Sequence, residues 1–240
     1  QLEVNDCSLQ STDIEHIAKS LSSTPSLTEL ALSGNGSLAG SGSLWNHLQC
    51  LKQLQKLHLR NCSLRGEDLK HICASLSNAP NVFELNLHAN TFSVGGSASW
   101  NHLLCLKQLK KLVISSCSLR SRDMKQICAS LSKLPSFVEL DLSKNTSLAG
   151  SGALWNDLKS LKQLQKLNVS DCFLARDVKH IAASLRDTSC LVKRKPDTET
   201  GFVNYDWDSA SDSDSDSYSD LDVELAPYLH WDSDSDRDSD

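Results

Sequence analysis

No run of about 18 consecutive apolar residues occurs in the 240-residue sequence, so no helical membrane span is expected. The first residues, QLEVNDCSL, lack the basic, apolar and small-residue regions of a secretory signal, and the first residue is not Met, so the sequence reads as a fragment or processed piece. Among nine cysteines there is no Cys-x-x-Cys pair and no Cys/His cluster at zinc spacing, which leaves no metal site to expect. Nine is also an odd number for a disulfide framework. Free thiols behaving as small hydrophobes in a reducing compartment, the cytoplasm, are the expectation. The phosphate-cradling pattern GxxxxGK[ST] is absent too.

Charge is divided very unevenly. Residues 1–195 carry 23 Lys and Arg against 15 Asp and Glu, whereas residues 196–240 carry 1 against 15, so a net of -6 joins a basic body to an acidic tail. With 39% hydrophobic residues the body has enough apolar side chains for a core.

Those apolar residues are periodic. Cys7, Cys62, Cys117 and Cys172 are spaced by 55 residues, each followed two places on by Leu9, Leu64, Leu119 or Leu174; Cys73 and Cys128, and Cys50 and Cys105, keep the same interval. LxxLxL segments occur at Leu27/Leu30/Leu32, Leu54/Leu57/Leu59, Val82/Leu85/Leu87, Leu109/Leu112/Ile114, Phe137/Leu140/Leu142 and Leu164/Leu167/Val169, with Leu2/Val4 beginning the series. The 55-residue unit is therefore two unlike units of 27 and 28 residues. Each LxL predicts a short strand of period two. After alternate strands, Ile14/Ile17/Ala18/Leu21, Leu69/Ile72/Cys73/Leu76, Met124/Ile127/Cys128/Leu131 and Val178/Ile181/Ala182/Leu185 mark one face of an amphipathic helix. Asp13, Glu67, Asp68, Asp123 and Asp177 lie near the helix starts, where negative charge suits the dipole, and Pro25, Pro80 and Pro135 follow the ends. The other half-units predict a shorter helical segment beginning at Trp45, Trp100 or Trp155, after turns at Gly40, Gly42, Gly95, Gly96, Gly150 and Gly152.

Strand, turn and helix repeated at this interval stack into an α/β solenoid with a parallel sheet inside and helices outside. The pattern LxxLxLxx(N/C)xL, in which Asn35, Asn90 and Asn145 alternate with Cys62, Cys117 and Cys172, resembles the leucine-rich repeats of the ribonuclease-inhibitor type, over residues 1 to about 190. Within that type it is most similar to the C-terminal repeats of NOD-like receptors. The resemblance implies a structural Asn/Cys column, bonded to loop carbonyls, and a curved horseshoe of about seven strands. The 55-residue step from Leu140 reaches Lys195, so an eighth strand is not expected to complete, and the solenoid is bounded at 1–195.

Residues flanking the Leu pairs face the open side of the sheet. Glu29, Lys56, Glu84, Lys111, Glu139 and Lys166 alternate in sign along one row and so neutralise one another. The next columns vary: Ala31/Ser33, His58/Arg60, Asn86/His88, Val113/Ser115, Asp141/Ser143 and Asn168/Ser170. A protein-binding groove is therefore expected on the concave face, with His58, Arg60, Glu84, Asn86, His88, Lys111, Val113, Asp141 and Asn168 as candidate contacts. No row places a nucleophile beside a base and an orienting acid, so neither catalysis nor a cofactor is expected.

From Pro196 the leucine pattern gives way to DWDSASDSDSDSYSDLD and HWDSDSDRDSD, a composition that predicts disorder over 196–240. Ser209, Ser211, Ser213, Ser217, Ser219, Ser233 and Ser235 each have Asp three places on and resemble sites of an acid-directed kinase. The tail could dock on the basic body, over Lys193, Arg194, Lys195 and the LKQLQK segments, or remain solvated. Basic residues are spread over the repeats without a stripe of stacking aromatics, which argues against nucleic acid.

Three functions stay open: the recognition module of a cytosolic innate immune protein like a NOD-like receptor, binding a ligand or an intramolecular domain; an inhibitor of the ribonuclease-inhibitor kind; and a regulator of a small GTPase. The charge-balanced rows weigh against a basic enzyme as target. The paired 27/28 units and a Ser-Asp tail weigh against the GTPase regulator.

Overall fold

The LxL segments form the sheet. In the computed structural model, which describes residues 1–22, 26–92, 97–174 and 176–193, eight short parallel strands pair in chain order as one open sheet. They are β1 (Leu2–Glu3), β2 (Glu29–Ala31), β3 (Lys56–His58), β4 (Glu84–Asn86), β5 (Lys111–Val113), β6 (Glu139–Asp141), β7 (Lys166–Asn168) and β8 (Leu191–Lys193). Their register aligns Leu2, Leu30, Leu57, Leu85, Leu112, Leu140, Leu167 and Val192. Alternation along each strand turns these side chains to the covered side, where all but Leu2 are buried.

Helices α1 (Ser11–Ser22), α2 (Gly66–Leu76), α3 (Ser121–Leu131) and α4 (Val178–Leu185) follow β1, β3, β5 and β7. The returns after β2, β4 and β6 hold 3₁₀ segments, Gly42–Cys50, Ser97–Cys105 and Gly152–Ser160. These begin three residues before the tryptophans, earlier than the sequence pattern suggested, and they are not α-helical. The spacing of the buried side chains explains it. Trp45, Leu48, Leu51 and Leu54 recur every third residue, as do Trp155, Leu158, Leu161 and Leu164, and three residues per turn is the 3₁₀ period. Bonds from Leu44 N to Ser41 O (3.0 Å), Leu51 N to Leu48 O (3.0 Å) and Leu54 N to Leu51 O (3.1 Å) fix the turns. The two kinds of return alternate in the outer layer, each 3₁₀ segment packing between consecutive α-helices.

Buried aspartates join the layers. Asp68, at the third position of α2, is 1% exposed, and its Oδ2 accepts the N–H of Arg65 (3.1 Å) and of Gly40 (3.0 Å) while Oδ1 accepts the indole N–H of Trp45 (3.1 Å). The carboxylate thus caps its own helix and ties it to the preceding half-unit. Asp13 and Asp123 cap α1 and α3 through Gln10 N (2.7 Å) and Arg120 N (2.8 Å). These residues do more than complement a helix dipole. Asp68, and Asp177 through Gly150 N (2.7 Å) and Gly152 N (2.6 Å), are in addition buried links between repeats.

The Asn/Cys column is a hydrogen-bonded ladder. Asn90 Oδ1 accepts from Cys62 N (3.0 Å) and Leu64 N (2.9 Å), while its Nδ2 donates to Leu59 O (2.7 Å) and Leu87 O (2.9 Å). In alternate units the thiols of Cys62, Cys117 and Cys172 each donate to a carbonyl of the preceding strand region at 3.2 Å. Burial pushes the Cys117 thiol up to about 12 and that of Cys172 to about 11, so both remain protonated donors. All nine cysteines are free; Cys7 and Cys105 are exposed.

The eighth strand corrects the expectation of seven. Its core position is filled by Val192, 25 residues after Leu167, because the last unit is short by three residues. One is missing between Leu174 and Asp177 and two between Leu185 and Val192, when compared with Leu119–Asp123 and Leu131–Leu140. A fixed 55-residue step therefore overshoots the strand. The chain divides into two units, Gln1–Trp207 and Asp208–Asp240, and every described residue belongs to the first. Pro25, Gly95, Gly96, Arg194, Lys195, the boundary at 195 and the tail serines lie outside the described residues.

Candidate protein-binding face

The open face of the sheet carries the charged row in the expected register, Glu29 beside Lys56, Lys56 beside Glu84, and so on to Glu139 beside Lys166. Lys111 lies 3.5 Å from Glu84 and 3.2 Å from Glu139, Lys56 lies 3.7 Å from Glu29, and Lys166 lies 3.9 Å from Glu139. Burial works against the Lys111 ammonium, but Glu139 and Glu84 outweigh it and hold its pKa above the usual lysine value. Most of the row is thus occupied with itself.

The N-terminal half of the face is different. A concavity of about 720 Å³ is lined there by residues that include Asp6, Glu29, Gly34, His58, Arg60 and His88. His58 Nε2 is 3.3 Å from Glu29 Oε1 but out of hydrogen-bond alignment with it. His88 Nδ1 is 2.7 Å from Ser115 Oγ, and its backbone N–H donates to Asn86 Oδ1 at 3.1 Å. Burial, then the nearby charges of Arg60 and Lys144, hold His88 below the usual imidazole range. The Arg60 side chain is exposed and makes no ion pair among the described residues. A guanidinium with its donors open, above a half-buried imidazole, can take a carboxylate or a carbonyl from a partner.

Of the residues singled out by sequence, His58, Arg60 and His88 line this concavity together, with Glu84 and Asn86 on the adjoining strand. Lys111, Val113, Asp141 and Asn168 lie on the next strands of the same face. Asp141 and Asn168 are internally engaged: Asn168 Nδ2 donates to Asp141 Oδ2 at 3.1 Å, while Asp141 Oδ1 accepts the Ser143 hydroxyl and Asn168 Oδ1 the Ser170 hydroxyl, each at 2.7 Å. The sequence reading missed Glu3, on β1, and Asn5, Asp6, Asn61 and Ala89, which close the concavity from the loops after the strands. One signal was available. Asp6, Asn61, Ser116 and Asp171 precede the column cysteines, and all four have φ between 52° and 59°, a conformation that short polar side chains tolerate. Gly34 is required beside them, since a Cβ there would meet Asp6 Oδ1 at 1.8 Å.

Among the described residues no helix is long and apolar enough to cross a membrane. The Leucine Rich Repeat family model matches residues 53–75. The chain is 30% identical over 185 residues to a ribonuclease inhibitor of Sus scrofa, covering 72% of this chain and 39% of that protein. It is 30% identical over 152 residues to NACHT, LRR and PYD domains-containing protein 12 of Homo sapiens, covering 60% of this chain and 14% of that one. It thus spans about two fifths of the inhibitor's length and a smaller share of the receptor-like protein's. Its fold is similar to that of the leucine-rich repeat-containing protein LegL7 from Legionella pneumophila, with a TM-score of 0.55 and 20% identity over 77% of this chain and 61% of that one. Taken with the strand register and the Asn/Cys ladder, these likenesses show that the chain is a leucine-rich repeat protein of the ribonuclease-inhibitor type.

Proposed function

We propose that the chain is a non-catalytic recognition module that binds a protein partner, or another domain of its own parent protein, through the open face of the sheet around Arg60. One observation carries this reading: beside a row whose charges are largely paired, the concavity at His58, Arg60 and His88 presents a cation with open donors. A rigid stack with varied side chains on one face is the arrangement that repeat proteins use for extended contacts. The likeness to NACHT, LRR and PYD domains-containing proteins supports a role in a cytoplasmic innate immune protein. The Ser-Asp tail supports regulation by phosphorylation at Ser209, Ser211, Ser213, Ser217, Ser219, Ser233 and Ser235, and contact of that tail with the basic body.

The test compares proteins retained from cytosol by the immobilised chain and by its His58→Ala/Arg60→Ala/His88→Ala variant, quantified by mass spectrometry. Loss of a specific partner with the variant is the expected outcome; identical sets contradict the reading. The likeness to a ribonuclease inhibitor favours a second reading, inhibition of a ribonuclease, although the paired row lacks the net negative charge that a basic enzyme calls for. Titration against pancreatic-type ribonuclease with an RNA cleavage assay separates the two, and full activity at excess chain removes the second.

A further inference from the structure

The returns that lead into successive strands lie side by side along one edge of the stack. Phe83 N donates to Gln55 O (2.9 Å), Lys110 N to Phe83 O (2.8 Å), Val138 N to Lys110 O (2.9 Å) and Gln165 N to Val138 O (2.8 Å), so segments 51–55, 77–83, 106–110, 132–138 and 161–165 follow one another in chain order. Their charges are all of one sign: Lys52, Lys107, Lys110, Lys133 and Lys162, with no Asp or Glu. On the open face of the sheet Lys56, Lys111 and Lys166 are paired with glutamates, whereas none of these five makes an ion pair among the described residues.

Two of the five are engaged in other ways. Lys52 Nζ donates to Asn78 O at 3.1 Å, and Lys110 Nζ stands 5.9 Å from the Phe83 ring centroid. One 55-residue repeat on from Lys52 and Asn78, the corresponding residues are Lys107 and Lys133, both exposed. The repeat thus brings two lysines together where the preceding one has a lysine and an asparagine. Like charges held close, with no carboxylate paired to either, favour an anion beside them.

Two clefts bracket this pair. Leu76, Ala79, Pro80, Val82, Leu106 and Lys107 line one of about 240 Å³, and Leu131, Leu134, Pro135, Phe137, Leu161 and Lys162 line another of about 270 Å³. Every residue named in the second stands 55 places after its counterpart in the first, so both have an apolar floor, an exposed proline and a lysine. The first lies between returns 77–83 and 106–110 and the second between 132–138 and 161–165, which leaves Lys107 and Lys133 between them. Two strand spacings separate the clefts, roughly 10 Å at about 4.8 Å each. A polyproline II peptide turns once in three residues and rises about 3.1 Å per residue, so side chains three places apart point the same way and match that span.

We propose that this edge is a docking surface for an acidic peptide of a partner protein, with two apolar side chains three places apart and two acidic residues between them. The apolar side chains occupy the clefts, and the carboxylates meet Lys107 and Lys133. A lipid surface fits less well: the large apolar side chains that stand exposed among the described residues, Leu154 and Phe173, lie outside these returns, so none protrudes from this edge to enter a bilayer. The surface is distinct from the open face around Arg60 and does not depend on a partner there.

Fluorescence anisotropy on the full chain tests this with two labelled peptides of one composition, Ser-Leu-Glu-Glu-Leu-Glu-Ser and Ser-Leu-Leu-Glu-Glu-Glu-Ser. The first should bind roughly tenfold more tightly than the second and lose roughly tenfold in Lys107→Glu/Lys133→Glu. It should keep its affinity in Arg60→Ala and in Lys70→Glu/Lys125→Glu, which makes the same charge change at exposed sites of α2 and α3. No binding of the first peptide, equal affinity for both peptides, or equal losses in the two double variants overturns the proposal. So does binding of the chain to phosphatidylserine vesicles without binding of the first peptide, and so does a loss in Arg60→Ala that Lys107→Glu/Lys133→Glu does not share.

Discussion

The indole N–H of Trp45 donates to Asp68 Oδ1 at 3.1 Å, joining a 3₁₀ segment to the helix of the following unit with both side chains buried. Because the same carboxylate also accepts Gly40 N and Arg65 N, Asp68→Ala strands three donors at once. Each buried unpaired donor costs about 1–3 kcal/mol, so the unfolding free energy should fall by roughly 3 kcal/mol or more, read from urea denaturation followed by tryptophan fluorescence. Asp68→Asn keeps an acceptor and should cost less.

Trp155 occupies the equivalent place without that partner. Its indole nitrogen is buried with no acceptor among the described residues, while Asp177, displaced by the missing residue before α4, takes Gly150 N (2.7 Å) and Gly152 N (2.6 Å) instead. Trp155→Phe removes an unsatisfied donor; Trp45→Phe breaks a bond to a buried carboxylate. Urea midpoints should therefore show Trp45→Phe the more damaging of the two, by about 1 kcal/mol.

Buried thiols make the fold sensitive to alkali. Burial raises Cys117, Cys128 and Cys190 to about 12 and Cys172 to about 11, from an ordinary value of 9.0. Above pH 9 the unfolded chain loses these protons while the folded chain keeps them, so the unfolded state binds fewer protons and stability falls as pH rises. The urea midpoint should be level from about pH 7 to 8 and drop progressively above about pH 9, each such thiol contributing up to about 1.4 kcal/mol per pH unit. Cys172→Ala should flatten the drop.

Lys111 bridges Glu84 and Glu139. Lys111→Glu would set three carboxylates side by side on adjacent strands, and a loss of about 1–2 kcal/mol at low salt is expected. In 1 M NaCl, where screening acts over about 3 Å, most of that loss should disappear from the denaturation curves.

The strand leucines and the α-helix faces were legible in the sequence because a period of two or of 3.6 residues leaves an unambiguous stripe. The triplet Trp45, Leu48, Leu51, Leu54 was equally regular, yet a spacing of three also fits part of an α-helical face, and only the i→i+3 bonds separate the two. The eighth strand was missed for a different reason: deletions on both sides of α4 move its core residue three places from the repeat interval. At the candidate face, His58 on β3 and Arg60 and His88, two places past the ends of β3 and β4, followed from alternation. Asp6 and Asn61 did not, because their contribution comes from loop backbone at positive φ, which brings their residues over the sheet.

The recognition surface itself is best tested by site-directed photo-crosslinking. A photoreactive amino acid replaces Arg60 in one protein and the outer-helix residue Lys70 in another, each is irradiated in cytosol, and captured proteins are identified by mass spectrometry. A partner that crosslinks from position 60, is absent from position 70, and disappears when His58 and His88 are also changed to Ala is the predicted result. Crosslinks from position 70 alone, or equally from both, would contradict a partner held on the open face of the sheet.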